Sequence, residues 1–148
     1  MNESFAPANA DFEAAVRASF AQQGVMQLIG AEMVAVKPGA CRIRMPFSER
    51  VSQQHGLFHG GLIATVADSA GGYAAMTLCP AGTEVLTVEY KVNFLAPAKG
   101  SEVVAIGRVI KPGRTLIVCS VDVDVLSNGV ATRCAMVQQT MMAIAPRG

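Results

Sequence analysis

The chain has 148 residues, 51% of them apolar and 16% charged, the size and make-up of one domain around one core. Its formal net charge of +1 excludes the dense basic surface of a nucleic-acid binder or of a protein held on an anionic membrane, and leaves only a local cluster to meet a small polyanion. The apolar runs are broken by Gly, Pro or charge well before the roughly eighteen residues of a membrane span. The start, "MNESFAPANADFEAAVRASF", carries acids where a secretory signal has a basic end and an apolar middle, so a cytoplasmic protein is expected.

Residues 1–11 read as a flexible lead into a single domain spanning 1–148. Asn9 or Asp11 can cap a helix in which Phe12, Val16 and Phe20 recur at intervals of four, ending near Gly24, with a short second turn around "VMQLIG". From Ala31 the period changes to two. "AEMVAVK", a Pro38-Gly39 turn and "CRIRMPF" form a hairpin with Cys41, Ile43, Met45 and Phe47 on one face and Arg42 and Arg44 on the other.

A central helix follows, running from His59 or Gly60 to Leu78. It is filled with Ala64, Ala67, Ala70, Gly71, Gly72, Ala74 and Ala75, although each internal Gly costs about 1 kcal/mol against Ala. Such a slim helix lets backbone approach backbone, as an embracing curved sheet would require. Four more extended runs complete the chain: "EVLTVEYKVNFL", "SEVVAIGRVI", "TLIVCSVDVDVL" and "VATRCAMVQQTMMAI". Their separators "APAKG", "KPGR" and "SNG" are turn chemistry, so a four-strand antiparallel meander is expected, making the class α+β.

The chemistry concentrates in "QQHGLFHGGLIATVADSAGG", residues 53–72. The first backbone N–H groups of a helix have no intrahelical partner and sit at the positive end of its dipole. Gly60 and Gly61 leave no side chain over those donors, so an oxygen developing negative charge can rest there. Asp68, a carboxylate within an apolar helix, is the natural base or nucleophile. Eight residues at 1.5 Å each place Gly60 about 12 Å from Asp68 along one axis, too far to act on one carbonyl. Two antiparallel copies of the helix across a two-fold axis would bring the tip of one beside the flank of the other.

Cys41, Cys79, Cys119 and Cys134 stand singly, without a CxxC pair, and read as reduced core thiols. His55 and His59 lie four apart, but Gly56 intervenes and no third ligand stands near, so no metal is expected.

His59-Gly60-Gly61 with an acid nine positions after the His, followed by "VNFLAPAKG", resembles the hotdog-fold acyl-CoA thioesterases, in particular the phenylacetate-pathway type. The resemblance covers about Phe12 to Ile144 and implies a hotdog fold, an antiparallel curved sheet wrapped around a central helix, assembled as a dimer or a dimer of dimers. It implies hydrolysis of acyl-CoA, with coenzyme A as part of the substrate and no separate cofactor. By the same resemblance Asp68 does the chemistry, the Gly60 N–H polarises the thioester carbonyl, and His59 positions the helix start or the ligand rather than acting as a general base. Gln53 or its neighbour Gln54 orients the water or thioester. Thr87, expected on one strand face with Glu89, Lys91 and Asn93, helps hold the water. Gly61, Leu57, Phe58 and Tyr73 are expected at the substrate, and Lys111 and Arg114, with Lys99 and Arg108 as further candidates, at the CoA phosphates.

Each residue also has an ordinary reading. Asp68 alone can pair with an arginine, Gln53 and Gln54 can face water, and Thr87 can be strand filler. Two other functions compete. An acyl-thioester dehydratase or hydratase resembles this fold but places a His shortly after the Asp, and no His follows His59. A non-catalytic acyl-CoA-binding module would be favoured by an attached DNA-binding segment, which the 148 residues do not contain.

Overall fold

In the computed structural model, which describes residues 4–146, the first apolar stripe forms helix α1 (Phe12–Ala21) with Val16 fully buried and Phe12 and Phe20 packed against the core. Asp11 occupies the cap position without a side-chain bond, and the Asn9 side chain instead accepts from the Asp11 N–H at 3.0 Å. Helix α2 (Gly24–Ile29) closes on Gly30, whose φ of 69° suits a residue without Cβ. Of the lead, residues 1–3 lie outside the described residues; Phe5 packs over the hairpin turn, where a Cβ on Gly39 would strike its ring.

Strands β1 (Glu32–Lys37) and β2 (Ala40–Pro46) form the expected hairpin, with Cys41, Ile43 and Met45 buried. Phe47 falls just beyond β2 and is partly exposed. After a short 3-10 turn comes α3 (Gly60–Met76), then β3 (Glu84–Phe94), β4 (Glu102–Lys111), β5 (Leu116–Ser127) and β6 (Val130–Ile144). All six strands form one antiparallel sheet in the order β1-β2-β4-β5-β6-β3.

That order corrects the expected meander. "KPGR" and "SNG" do join neighbours, and Asn128 and Gly129, at φ 52° and 77°, match the twist of a tight hairpin. "APAKG" does not. β4 crosses over to pair with β2, and β3 lies at the far edge beside β6. The crossing segment runs past the start of α3, where the Ala98 carbonyl accepts from the Phe58 N–H at 2.9 Å. Turn composition cannot tell such a crossover from a hairpin.

The sheet curls around α3, whose Ile63, Val66, Ala67, Ala70 and Ala74 are buried. Approach is closest where Gly107 of β4 faces the Ala70 carbonyl and where Gln139 of β6 faces Gly71. Backbone lies on both sides of the first contact, so Gly107→Ala has no soft neighbour to push. It should destabilise the protein by roughly 1–3 kcal/mol, whereas a Cβ on Gly24 meets nothing within 4 Å and Gly24→Ala should be neutral or stabilising. Thermal unfolding of the two variants checks the contrast.

Candidate active site

The loop before α3 is held by its own backbone. Ser52 bridges to Phe58, the Gln53 N–H donates to the Leu57 carbonyl at 2.8 Å, and Gln53 Oε1 accepts from the N–H groups of His55 and Leu57. The Gln53 amide oxygen therefore folds its own loop and makes no hydrogen bond to Asp68, while Gln54 is exposed. His59 is the N-cap of α3: its Nδ1 accepts from the Gly61 N–H at 2.9 Å. This occupies one of the two glycine donors expected to face substrate. Among the described residues no side chain takes the Gly60 N–H, and a Cβ there would stand 3.0 Å from the Phe94 ring. The His59 ring is thus turned toward the helix start, with Nδ1 as the acceptor that caps it.

Asp68 sits half-buried on the flank of α3. Thr87 Oγ1 donates to its Oδ1 at 2.7 Å. The strand face expected for Thr87 is corrected by a bulge between Thr87 and Glu89. Thr87 pairs with inward-facing Met141, whereas Glu89 pairs with Thr140 and accepts from its hydroxyl on the outer face. The extra residue, Val88, reverses the alternation, so Tyr90, Val92 and Phe94 share the Thr87 face.

A second donor escaped the sequence reading. Gln139 Nε2, on β6, donates to both the Oδ1 and the backbone carbonyl of Asp68, each at 3.2 Å. The available signal was a polar residue at the same parity as Val137 and Met141. It was obscured because Met136 and Met142, on the outward parity, are just as apolar.

Asp68 and Thr87 open onto a cleft of roughly 280 Å³ between α3 and the start of β3. Gly72, Met76, Val85 and Met141 give it apolar walls. Its floor is polar: Gln23 Nε2 donates to the Tyr73 hydroxyl at 3.0 Å, Ser19 Oγ lies 3.2 Å from the same hydroxyl, and Ser69 donates to Gln23 Oε1 at 3.2 Å. Burial pushes the Tyr73 phenol above its ordinary value, so it stays a neutral hydroxyl.

Tyr73 thus lines the cleft, whereas Leu57 and Phe58 do not. Leu57 belongs to the loop, and Phe58 is buried edge-on against Phe47, ring centres 5.2 Å apart, because the loop needs an apolar anchor. The cations are dispersed rather than gathered. Arg108 pairs with Asp122 at 3.3 Å, Lys111 is exposed at the end of β4, and Lys99 lies beside Gly56 and Ser101. Arg114 lines a separate cleft of about 510 Å³ beyond the C-terminal end of α3. Helix α3 is unbroken from Gly60 to Met76, so within one chain Gly60 and Asp68 remain about 12 Å apart.

A six-stranded antiparallel sheet curled around a long helix is the hotdog fold, and comparison with known proteins places the chain within it. The Thioesterase superfamily model matches residues 55–132, over half of the chain. A thioesterase family protein of Silicibacter pomeroyi has 42% sequence identity, with 90% of this chain and 98% of that one covered and a TM-score of 0.89. The mouse (Mus musculus) acyl-coenzyme A thioesterase 13 is 32% identical over 98 residues, 66% of this chain and 69% of that one. The PaaI protein of the E. coli phenylacetic acid degradation operon shares the fold at 17% identity, with a TM-score of 0.81 over 94% of this chain and 97% of that one. The chain belongs to the Thioesterase superfamily. It is a thioester hydrolase by class.

The four cysteines take no part in such chemistry. All are buried, and burial pushes the Cys41 and Cys119 thiols up to about 12 and Cys134 to about 11, with Cys79 also raised. Since the thiolate is the reactive form, the native protein should resist a chromogenic disulfide reagent at pH 8, while the unfolded chain labels at all four. The stability held by these protonated thiols is complete below the unfolded value of 9.0. It should fall as pH climbs from there toward 12, because the unfolded chain alone sheds the protons. Unfolding midpoints measured between pH 8 and 11 check the sign.

Proposed function

We propose that this protein hydrolyses acyl-CoA thioesters, with Asp68 as base or nucleophile in a site shared between two subunits. The observation that carries the reading is the Asp68 carboxylate, hydrogen-bonded by Thr87 at the mouth of a partly apolar cleft, on a helix opened by His59-Gly60-Gly61. The name of the mouse relative supports the substrate class, and that of the Silicibacter pomeroyi protein supports thioester cleavage. In this reading the Gly60 N–H of one subunit polarises the thioester carbonyl. Asp68 of the other attacks the carbon, or takes a proton from a water that does. On either route a C–O bond forms, the C–S bond breaks, and the sulfur leaves to be protonated as free coenzyme A; where Asp68 is the nucleophile, a water then cleaves the mixed anhydride, releasing the acid and restoring the carboxylate.

The assembly is supported by the edge of the sheet. β3 exposes Leu86, Val88, Tyr90 and Phe94, about half of each side chain accessible, beside an unpaired line of backbone groups. Soluble proteins seldom leave such an edge open, and antiparallel pairing with a second copy would cover it about a two-fold axis. Basic residues at helix ends and turns, Lys111 and Arg114 among them, are the candidates to meet the phosphates of coenzyme A.

Thiol release from a panel of acyl-CoAs tests the chemistry. Asp68→Asn should lower the rate by roughly 10²–10⁴-fold; no release by the native protein, or equal release by both, overturns the proposal. Gly60→Pro tests the shared site, because proline is well tolerated at the first helical position and lacks the N–H. Each variant alone should be impaired, and a mixture allowed to exchange subunits should recover about a quarter of native activity, since half the dimers then hold one intact site of two. No recovery despite exchange would show that both groups act from one chain.

A further inference from the structure

We infer that Gln139 is a positioning residue for Asp68: with Thr87 it pins Oδ1 and leaves Oδ2 as the oxygen that meets substrate or water, an inference resting on the role proposed for Asp68. Three observations carry it. First, the two donors converge on one oxygen, Thr87 Oγ1 at 2.7 Å and Gln139 Nε2 at 3.2 Å. No donor approaches Oδ2 among the described residues. A carboxylate fixed through one oxygen presents the other with a set direction.

Second, the orientation of the Gln139 amide is determined by its surroundings. Its side chain is fully buried on the inward face of β6. Nε2 faces three acceptors, Asp68 Oδ1, the Asp68 carbonyl and Met141 Sδ at 3.0 Å. Oε1 has no hydrogen-bond partner among the described residues. Exchanging the two ends would set oxygen against oxygen, so the unpartnered acceptor is the consequence of aiming the donor at Asp68. Buried acceptors left in this condition are rare and call for a reason.

Third, α3 makes room for the amide. Gly71 stands one turn beyond Asp68, and a Cβ on it would overlap Gln139 Oε1. Its φ does not require glycine, and glycine weakens the middle of a helix. An unpartnered oxygen and an unfavourable helix residue thus meet at one point, and both serve to place Nε2 on the carboxylate. Gln139 is not among the residues lining the cleft, so it acts through Asp68 rather than on the acyl group.

A positioning role predicts a fall in kcat without a change in KM. Gln139→Met keeps the length and burial but removes the donor, and should lower kcat in thiol release by roughly 10-fold, with KM within about 2-fold and the melting temperature no lower than native. Gln139→Glu, which sets a second carboxyl against Asp68, should be worse than Met. Gly71→Ala should lower kcat when Gln139 is present, yet cause no further loss in a Gln139→Ala background, where the space has been vacated. A folded Gln139→Met enzyme with kcat within about 2-fold of native overturns the inference, as does a rise in KM alone or a Gly71→Ala effect equal in both backgrounds. If Asp68→Asn is inactive while Gln139→Met is fully active, only this inference fails. If Asp68→Asn is itself active, the role proposed for Asp68 fails with it.

Discussion

Everything in this molecule depends on how closely one helix lies against the sheet that encloses it. The Ala70 carbonyl of α3 and Gly107 of β4 meet with no side chain between them. The alanine and glycine content of α3 is the local consequence: a helix of ordinary width would hold the curled sheet open. A thin helix also limits what can stand on it. Asp68 is the one acid on α3, and because strands surround the helix, the groups that satisfy its carboxylate come from the sheet.

That origin explains features that look like irregularities when taken singly. A carboxylate brought partly out of water needs donors, and strands of plain alternation would supply Val or Met at these places. β3 gains its donor through the bulge that turns Thr87 inward, and β6 gains its donor by setting Gln139 between Val137 and Met141. The helix start is organised separately. His59 satisfies the Gly61 N–H at the start of α3, while among the described residues no side chain accepts from the Gly60 N–H.

What the sequence made legible was what local chemistry decides. The start of α3, the β1–β2 hairpin and the tight Asn128-Gly129 turn follow from caps, periodicity and glycine, while α3 ends at Met76, two residues before the expected Leu78. The spacing from His59 to Asp68 pointed to the family, which the matched domain bears out. Strand order was hidden because the pairing of β3 with β6 joins segments far apart in the chain, and nothing in "APAKG" distinguishes a crossover from a turn. The face of Thr87 was hidden because a bulge breaks the period of two on which face assignments rest. Nothing in the type and position of Gln53 records that the N–H groups of His55 and Leu57 donate to its side-chain oxygen.

The pairing of Gln139 with Asp68 spans 71 residues of chain, and this has a kinetic meaning. Contacts that close such long loops form only after most of the chain's freedom has been surrendered, and sheets rich in them fold slowly. β6 also emerges from the ribosome after every other strand. A nascent chain therefore carries its acid well before it carries the amide that bonds it, and the two can meet only once the last strand of the sheet is in place.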